Sequence, residues 1–187
     1  MIEFAVRRLR ESVVGSVLDE LFSRDGFFVP VPGHAPRLER ARHQLWSMRR
    51  FCEALSTARF GAGVVPLLER TTAVPAAHLL PAGELRPNAR RHFDTIRVVG
   101  GLIERPGRLV LVDDVLTRGA TMLGCASRLR EMFPDVPVSG FCLARARSEP
   151  CELQTPISPR LHRVVRWGAD DSQVTELGEG IASPSPE

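Results

Sequence analysis

The sequence contains no lysine and no tyrosine, so all 25 of its basic residues are arginine. The absence of lysine excludes a lysine general base, a lysine Schiff base and a phosphate loop of the Walker type, which requires a lysine. A fixed positive charge on a bound phosphate must therefore come from arginine. The planar guanidinium of arginine favours two parallel hydrogen bonds to such a group.

Long hydrophobic runs are also missing. No apolar stretch approaches the roughly 20 residues that a membrane-spanning helix needs, and the first residues mix acidic and basic side chains, unlike a signal peptide. We therefore expect a cytoplasmic protein without a membrane partner. The length of 187 residues predicts one domain with short additions.

Cysteine is scarce, and its pattern argues against a zinc site. The four cysteines, Cys52, Cys125, Cys142 and Cys151, form no C-x-x-C pair, and no histidine cluster accompanies them. We expect reduced, mostly buried thiols.

Charge is unevenly distributed along the chain. Residues 168–187 hold five acidic residues and no basic one, which leaves 17 acidic and 25 basic residues, a charge of +8, in the rest. A basic body suits an anionic ligand and leaves a nucleic-acid partner open. The acidic segment lacks a core-forming pattern, so we expect residues 168–187 to be a flexible tail.

Strand and helix patterns alternate along the chain. Apolar stretches predict strands near 27–31, 64–68, 95–99, 108–112 and 136–144. Helical spacing of apolar residues predicts an N-terminal amphipathic helix within 1–26, a helix over 38–55 and a helix from Met122 to Phe133. This alternation predicts an α/β domain over 27–167, with a mainly parallel sheet and helices on both faces.

Residues 71–92 interrupt the alternation with three prolines and no apolar periodicity. A long irregular loop in a compact domain is usually functional or disordered. We expect this segment to be the most mobile internal part of the chain.

The stretch VLVDDVLTRGAT, residues 110–121, carries the main functional signal. An apolar strand ends in Asp113 and Asp114, and a loop of small residues then enters a helix. Exposed N–H groups at a helix N-terminus favour an anion such as phosphate. Carboxylates accept hydrogen bonds from sugar hydroxyls, so a sugar phosphate satisfies both halves of the motif. We expect this loop to lie at the surface.

This stretch resembles the signature with which type I phosphoribosyltransferases bind 5-phosphoribosyl 1-pyrophosphate (PRPP). The resemblance implies that Asp113 and Asp114 are the catalytic pair and hold the ribose hydroxyls. It also implies that the 5′-phosphate is bound by a loop made of Thr117, Arg118, Gly119, Ala120 and Thr121. The implied fold carries a small hood and a flexible lid loop.

Further stretches resemble the amidophosphoribosyltransferase-like proteins of the ComF group. They are FVPVPGH at 28–34, LLER at 67–70 and LRPNARRHF at 85–93, and the resemblance covers about residues 27 to 146. The sequence lacks that group's zinc-ribbon cysteines and its Arg-Gly-Phe-Asn run, and its Arg86-to-Asn88 spacing is one residue shorter.

The resemblance also implies where the rest of PRPP is held. Pyrophosphate would bind to the loop after the first core strand, at Val31, Pro32, Gly33, His34 and Arg37. Mg²⁺ would arrive with PRPP and need no ligands directly from the protein. The lid candidates are Arg70, Arg86, Asn88, Arg90 and Arg91. The hood would come from the N-terminal helix or from residues 150–170, where Trp167 either stacks on a base or packs.

Two functions follow from this interpretation. The first is a phosphoribosyltransferase that transfers the phosphoribosyl group from PRPP to a nitrogenous, nucleobase-like small-molecule acceptor. The second is a non-catalytic sensor of PRPP or a nucleotide, or a competence-type DNA-associated protein. A homodimer remains open in either case.

Overall fold

The computed structural model describes residues 2–13, 16, 18–36, 46–75, 80, 86–100, 106–146, 160, 162–167 and 171–176. Its elements are α1 (Ile2–Val13), α2 (Leu18–Leu21), β1 (Gly26–Pro30), α3 (Ser47–Thr57), β2 (Gly63–Val64), β3 (Leu68–Arg70), α4 (Ala89–Asp94), β4 (Ile96–Val98), β5 (Arg108–Leu116), α5 (Ala120–Met132), β6 (Val138–Arg145), β7 (His162–Trp167) and β8 (Asp171–Glu176). Within these ranges, no helix has both the length and the apolar character needed to cross a membrane.

A four-stranded sheet forms the centre of the molecule. Its strand order is β2-β1-β5-β6, and every neighbouring pair is parallel. Parallel neighbours need a crossover connection, which α3 supplies between β1 and β2 and α5 supplies between β5 and β6. The predicted α/β class and the parallel sheet are confirmed.

The central strand β5 separates two hydrophobic cores by its alternation. Leu109 and Leu111 pack with Met122, Cys125 and Leu129 of α5. The intervening residues, Val110 and Val112, pack on the opposite face with residues of α1, α2 and α3. Because side chains alternate along a strand, one short apolar run fills both cores, and helices cover both faces of the sheet as predicted.

Two of the predicted strands do not take the expected place. The segment near 64–68 divides between β2, in the parallel sheet, and β3. The strand near 95–99 forms as β4, but it pairs antiparallel with β3 in a separate two-stranded sheet. Val65 N–H still donates to the Phe28 carbonyl at 2.9 Å. Pro66 follows without an N–H, so the ladder ends there and the chain leaves the sheet.

The N-terminal helix is shorter than its apolar periodicity indicated. A bend at Ser16 separates α1 from α2, and the Ser16 hydroxyl accepts a hydrogen bond from Leu18 N–H at 3.2 Å. A serine that bonds the following backbone favours the start of a new helix over continuation of the old one. The predicted helix over 38–55 is described only from Ser47 onward, because residues 37–45 lie outside the described part of the chain.

The C-terminal region contains a hairpin that the sequence did not predict. β7 and β8 pair antiparallel, with Val164 opposite Val174. β8 lies within 168–187, so the expectation of a flexible tail is wrong for Asp171–Glu176, and the predicted domain boundary at residue 167 divides the hairpin. Ser172 is buried and Val174 is half-buried, so this stretch is held by packing despite its acidic composition. The remaining residues of the predicted tail lie outside the described part.

The two-core arrangement predicts unequal costs for two leucine truncations on neighbouring strands. Leu111 is fully buried in β5, whereas Leu143 in β6 is 43% exposed. We expect Leu111→Ala to lower the free energy of unfolding by about 2–5 kcal/mol and Leu143→Ala to change it by less than about 0.5 kcal/mol. Urea denaturation of both variants measures this difference, and equal losses would contradict the assigned cores.

Candidate functional site

The order of the sheet places a crevice between β1 and β5. From β1 the chain continues to β2 on one side, and from β5 it continues to β6 on the other. The loops that leave β1 and β5 therefore diverge at the carboxyl edge of the sheet, which is where ligands bind in open parallel sheets. Val31 N–H donates to the Val112 carbonyl at 3.0 Å, which holds the two strand ends together.

A small cavity of about 50 Å³ lies at the carboxyl end of β5. Its lining includes Asp113 and the whole predicted phosphate loop, Thr117 through Thr121. Arg86 and His92 complete the polar part of the lining. The structure thus brings one of the two predicted acids, the predicted loop and one predicted lid arginine to one place.

The predicted phosphate loop, Thr117–Thr121, turns at Gly119, directly before α5 begins at Ala120. Gly119 has φ +78° and ψ +4°, a left-handed conformation that residues with a Cβ rarely adopt. This turn leads into a helix of 13 residues, whose first-turn N–H groups have no partner within the helix. Those N–H groups and the helix dipole favour an anion at this end.

The hairpin β7–β8 packs onto this loop. Ser172 Oγ donates to the Arg118 carbonyl at 2.8 Å. A Cβ placed on Gly119 would lie 2.6 Å from Val164 Cγ1 and 3.1 Å from Val174 Cγ2. Gly119 is buried, so the expectation that the whole loop lies at the surface is wrong. The hairpin was not predicted from the sequence, and neither was the cover that it provides for this loop.

The two aspartates occupy different environments. Asp113 is half-buried and lines the cavity, whereas Asp114 is exposed and does not. Because β5 continues to Leu116, consecutive side chains point to opposite faces of the strand. Each carboxylate accepts from the next backbone N–H, Asp113 from Asp114 at 3.0 Å and Asp114 from Val115 at 2.7 Å.

Burial raises the pKa of Asp113 to about 7, and the negative charge of Asp114 adds to the rise. The hydrogen bond from Asp114 N–H opposes both effects. A buried carboxylate beside a like charge favours its protonated form. Asp113 therefore changes its charge near neutral pH, which is a property of groups at functional sites.

A buried polar network links the two loops at the crevice. Arg70, only 3% exposed, donates through Nε to the Gly33 carbonyl at 2.6 Å and through Nη1 to Thr95 Oγ1 at 2.8 Å. Its Nη2 lies 3.3 Å from Nδ1 of His92, and His92 Nε2 lies 3.3 Å from Thr121 Oγ1. Burial, together with the positive charges of Arg70 and Arg118, lowers the pKa of His92 to about 4.

The predicted lid residues separate into different roles. Arg70 is a buried residue of β3 and not part of a loop, and Arg86 is exposed at the cavity. Asn88 caps α4 by accepting from Arg91 N–H at 2.8 Å. Arg90 pairs with Asp94 at 3.0 Å.

The end of the predicted lid segment is therefore helical, because α4 begins at Ala89. Residues 76–79 and 81–85, the middle of the segment, lie outside the described part of the chain. The expected mobility of residues 71–92 stays a prediction.

The predicted pyrophosphate loop follows β1 along the other side of the crevice. Val31 and Pro32 are buried, while Gly33 and His34 are exposed. A Cβ on Gly33 would meet nothing within 4 Å, so a ligand can approach the backbone there. Arg37 lies outside the described residues.

His92 lines the cavity but was not among the predicted site residues. The available signal was Asn88, a good helix N-cap residue, because a helix that starts after Asn88 turns His92 inward. The partners of His92 could not be inferred from the sequence, since Arg70 and Thr121 are 22 and 29 residues away.

Among the described residues, no group of three or more His, Cys, Asp or Glu side chains could hold a metal ion, so the cysteines described there belong to no such group. Cys52, Cys125 and Cys142 are free thiols, the first two buried and the third half-buried. Burial raises the pKa of Cys52 and of Cys142 to about 12, so both stay protonated at neutral pH. Cys151 lies outside the described residues.

Comparison with known proteins does not assign the chain to a family. The chain matches no profile of a known protein family, and a search of curated proteins returns no relative.

The raised pKa of Asp113 predicts a pH-dependent stability difference. Between its ordinary value of 3.8 and about 7, the folded protein binds the Asp113 proton and the unfolded chain does not. The Asp113 contribution to the free energy of unfolding therefore falls as pH rises through this window. The lowered pKa of His92 makes its own contribution to the free energy of unfolding rise with pH. This contribution is the same in the parent and in an Asp113 variant, so it cancels in a comparison of the two. We expect Asp113→Asn to be more stable relative to the parent at pH 8 than at pH 5, as measured by urea denaturation. The same difference at both pH values would contradict the assigned burial of Asp113.

The contact between Gly119 and the hairpin predicts a large cost for a single methyl group. Gly119→Ala should lose about 1–2 kcal/mol from the left-handed backbone and about 1–3 kcal/mol more from overpacking against Val164. Gly33→Ala is the matched control, because its Cβ meets open space and should cost less than about 0.5 kcal/mol. Thermal melts of both variants test this, and an unchanged Gly119→Ala protein would mean that the hairpin does not pack on the loop.

Proposed function

We propose that this protein is a phosphoribosyltransferase of the type I kind. In this proposal it binds PRPP with Mg²⁺, transfers the phosphoribosyl group to a nitrogenous, nucleobase-like acceptor and releases pyrophosphate. The observation that carries the proposal is the shared cavity of Asp113 and the loop Thr117–Thr121. This cavity lies at the carboxyl edge of a parallel sheet, beside the point where the strand order reverses.

The 5′-phosphate would bind at the N-terminus of α5. First-turn N–H groups supply donors and the helix dipole supplies partial positive charge. The hydroxyl of Thr121, which lines the cavity, adds a further donor. Arg86 and Arg118 also line the cavity, so positive charge comes from arginine, as a chain without lysine requires.

The ribose would lie over Asp113. An ionised carboxylate accepts hydrogen bonds from hydroxyls, whereas a protonated one loses part of that capacity. Hydroxyl donors stabilise the ionised form, so binding of the ribose favours loss of the Asp113 proton. Asp114, exposed one residue further along β5, is the second acceptor in this proposal.

The pyrophosphate would extend toward the loop that leaves β1. Gly33 offers open backbone there, and His34 is exposed beside it. Mg²⁺ would arrive with PRPP, held by its phosphate oxygens and by water, and would need no ligand directly from the protein. When bound, the ion would neutralise charge on the leaving pyrophosphate.

The hairpin β7–β8 would act as the hood. Of the two predicted hood segments, 150–170 reaches the site through β7, whose Val164 covers Gly119. The N-terminal helix α1 packs against α3 on the opposite face of the sheet. A cover of this kind excludes water from the reacting centre, which limits hydrolysis of the oxocarbenium-like transition state. The side chain of Trp167 lies outside what the structure describes.

One observation favours the second candidate, a non-catalytic sensor of PRPP or a nucleotide. The hairpin contacts the phosphate loop directly through Ser172, Val164 and Val174. A ligand that changes the loop would therefore also change the hairpin. Such a coupling could transmit ligand binding to a protein or nucleic-acid partner.

Substitution of the acids tests the ribose assignment. Hydrogen bonds to a charged acceptor are worth about 1.5–3 kcal/mol, so Asp113→Asn should weaken PRPP binding by about one to two orders of magnitude. Asp114→Asn should do the same if it holds the second hydroxyl. Asp19→Asn, on the exposed surface of α2, is the control. Calorimetric titration of PRPP with Mg²⁺ measures all four proteins, and parental affinity in Asp113→Asn would sink the assignment.

Release of pyrophosphate separates the enzyme from the sensor. The protein is incubated with PRPP, Mg²⁺ and a panel of nucleobases, and pyrophosphate is measured. Turnover with any acceptor supports the transferase. Tight binding without turnover, together with salt-sensitive binding of nucleic acid, supports the sensor.

A further inference from the structure

We propose that His92 is a positioning residue of the phosphate site. Arg70 holds it as the neutral tautomer with the proton on Nε2, and it donates that proton to the hydroxyl of Thr121. The Thr121 hydroxyl then has its own proton free for the bound anion. This inference rests on the proposed function, because it assigns a role to His92 in binding the 5′-phosphate.

The tautomer follows from the hydrogen-bonding capacity of arginine. A guanidinium donates and has no acceptor, so the His92 Nδ1 that faces Arg70 Nη2 at 3.3 Å must be an unprotonated acceptor. A neutral imidazole carries one proton, which therefore lies on Nε2. Arg70 itself is fixed by the Gly33 carbonyl and by Thr95 Oγ1.

Thr95 is compatible with this direction of hydrogen bonding. Its hydroxyl accepts from Arg70 Nη1 and donates to the Arg91 carbonyl at 2.7 Å. All hydrogen bonds of the network can therefore be donated in one direction, starting from the Arg70 guanidinium. Reversal would require the guanidinium to accept a hydrogen bond.

The proton on His92 Nε2 fixes the role of Thr121. Nε2 and Thr121 Oγ1 are 3.3 Å apart, and with Nε2 as donor the hydroxyl oxygen is the acceptor. A hydroxyl has one proton and two lone pairs, so Thr121 can still donate. Because Thr121 lines the cavity in the first turn of α5, its proton is available to an anion bound there.

Packing keeps the imidazole in this position. His92 is 8% exposed, and a Cβ on Gly124 would lie only 2.8 Å from His92 Cβ. Because glycine has no side chain, Gly124 lets α4 approach α5 closely. Asn88 caps α4 at its start, which fixes the helix that carries His92.

The charges around His92 favour the neutral ring. Arg70 faces it from β3 and Arg118 from the phosphate loop, and both lower its pKa in addition to burial. Arg86 and Asp113 share the cavity that His92 lines. A doubly protonated ring could only donate, so its Nδ1 would lose the hydrogen bond from Arg70.

Nuclear magnetic resonance reads the tautomer without any ligand. Two-bond ¹H–¹⁵N correlation spectra of the ¹⁵N-labelled parent distinguish the Nε2–H form from the Nδ1–H form, and loss of one signal in His92→Gln assigns it. We expect the Nε2–H form, with no titration between pH 5 and pH 8. An Nδ1–H ring or a ring that titrates in this range would overturn the proposal.

A double-mutant cycle tests the effect on binding of ribose 5-phosphate. His92→Leu removes the donor to Thr121, and we expect about three- to tenfold weaker binding, the usual value of one neutral hydrogen bond. Thr121→Val removes the hydroxyl itself and should weaken binding at least as much. If His92 acts through Thr121, the double variant binds like Thr121→Val alone, because the two losses are not additive. Additive losses would show that His92 acts by another route.

His92→Gln is the conservative variant. Its side-chain oxygen can accept from Arg70 while its amide donates to Thr121, so binding should return to within about threefold of the parent, less than the value of one neutral hydrogen bond. A merely structural role would not restore binding through this particular pair of hydrogen bonds. If His92→Leu does not fold, the comparison of parent, His92→Gln and Thr121→Val still decides the role. In that comparison, His92→Gln binding as weakly as Thr121→Val overturns the proposal.

The outcomes separate failure of this inference from failure of the proposed function. A parent that binds neither PRPP nor ribose 5-phosphate refutes the proposed function, and the positioning role falls with it. A parent that binds both ligands, with additive losses in the cycle, refutes the positioning role alone.

Discussion

The parallel pairing of β1 with β5 is the constraint on which the rest of the structure depends. Its register runs from Gly26 opposite Arg108 to Pro30 opposite Val112. This register places alternate residues of β5 in two different cores, and it ends both strands at the same edge. The predicted phosphate loop and the loop at Gly33 therefore face one crevice. A shift by one residue would exchange the two faces of β5 and point Asp113 away from α5.

Glycine residues let neighbouring elements pack closely around the crevice, and larger side chains cannot replace them there. Gly119 lets the hairpin meet the phosphate loop, and Gly124 lets α4 meet α5. Polar groups are then buried in the space between: Arg70 and His92 are less than a tenth exposed. A buried charge is costly unless it is hydrogen-bonded, and Arg70 meets that requirement with three partners. Removal of one of these partners would leave a buried charge without full compensation, so the network restricts substitution at this place.

Sequence patterns correctly predicted the elements whose structure depends on residues that are close in sequence. The run RLVLVDD indicated β5, and the small-residue loop after it indicated the start of α5, because both depend on neighbours in sequence. The strand near 95–99 was predicted and forms as β4, but its antiparallel pairing with β3 was not. A three-residue strand such as β3 carries no periodicity of its own. The hairpin was missed because His162–Trp167 shows no alternation of polar and apolar residues, since Val164 and Val165 are adjacent. In addition, β8 lies in an acidic stretch. Its position depends on contacts with Gly119, more than 40 residues earlier, which only the folded chain brings together.

The continuation of β5 past the acids places the two aspartates in unequal environments. Asp113 faces α5 and the cavity, and its pKa of about 7 leaves it partly protonated at neutral pH when no ligand is bound. Protonation removes the repulsion between Asp113 and Asp114, which otherwise destabilises the empty crevice. In the proposed function, ribose hydroxyls and a cation at the pyrophosphate both favour the carboxylate. Binding of PRPP would therefore release a proton from Asp113, and the same group that limits stability in the free protein would become a strong acceptor once the substrate is in place.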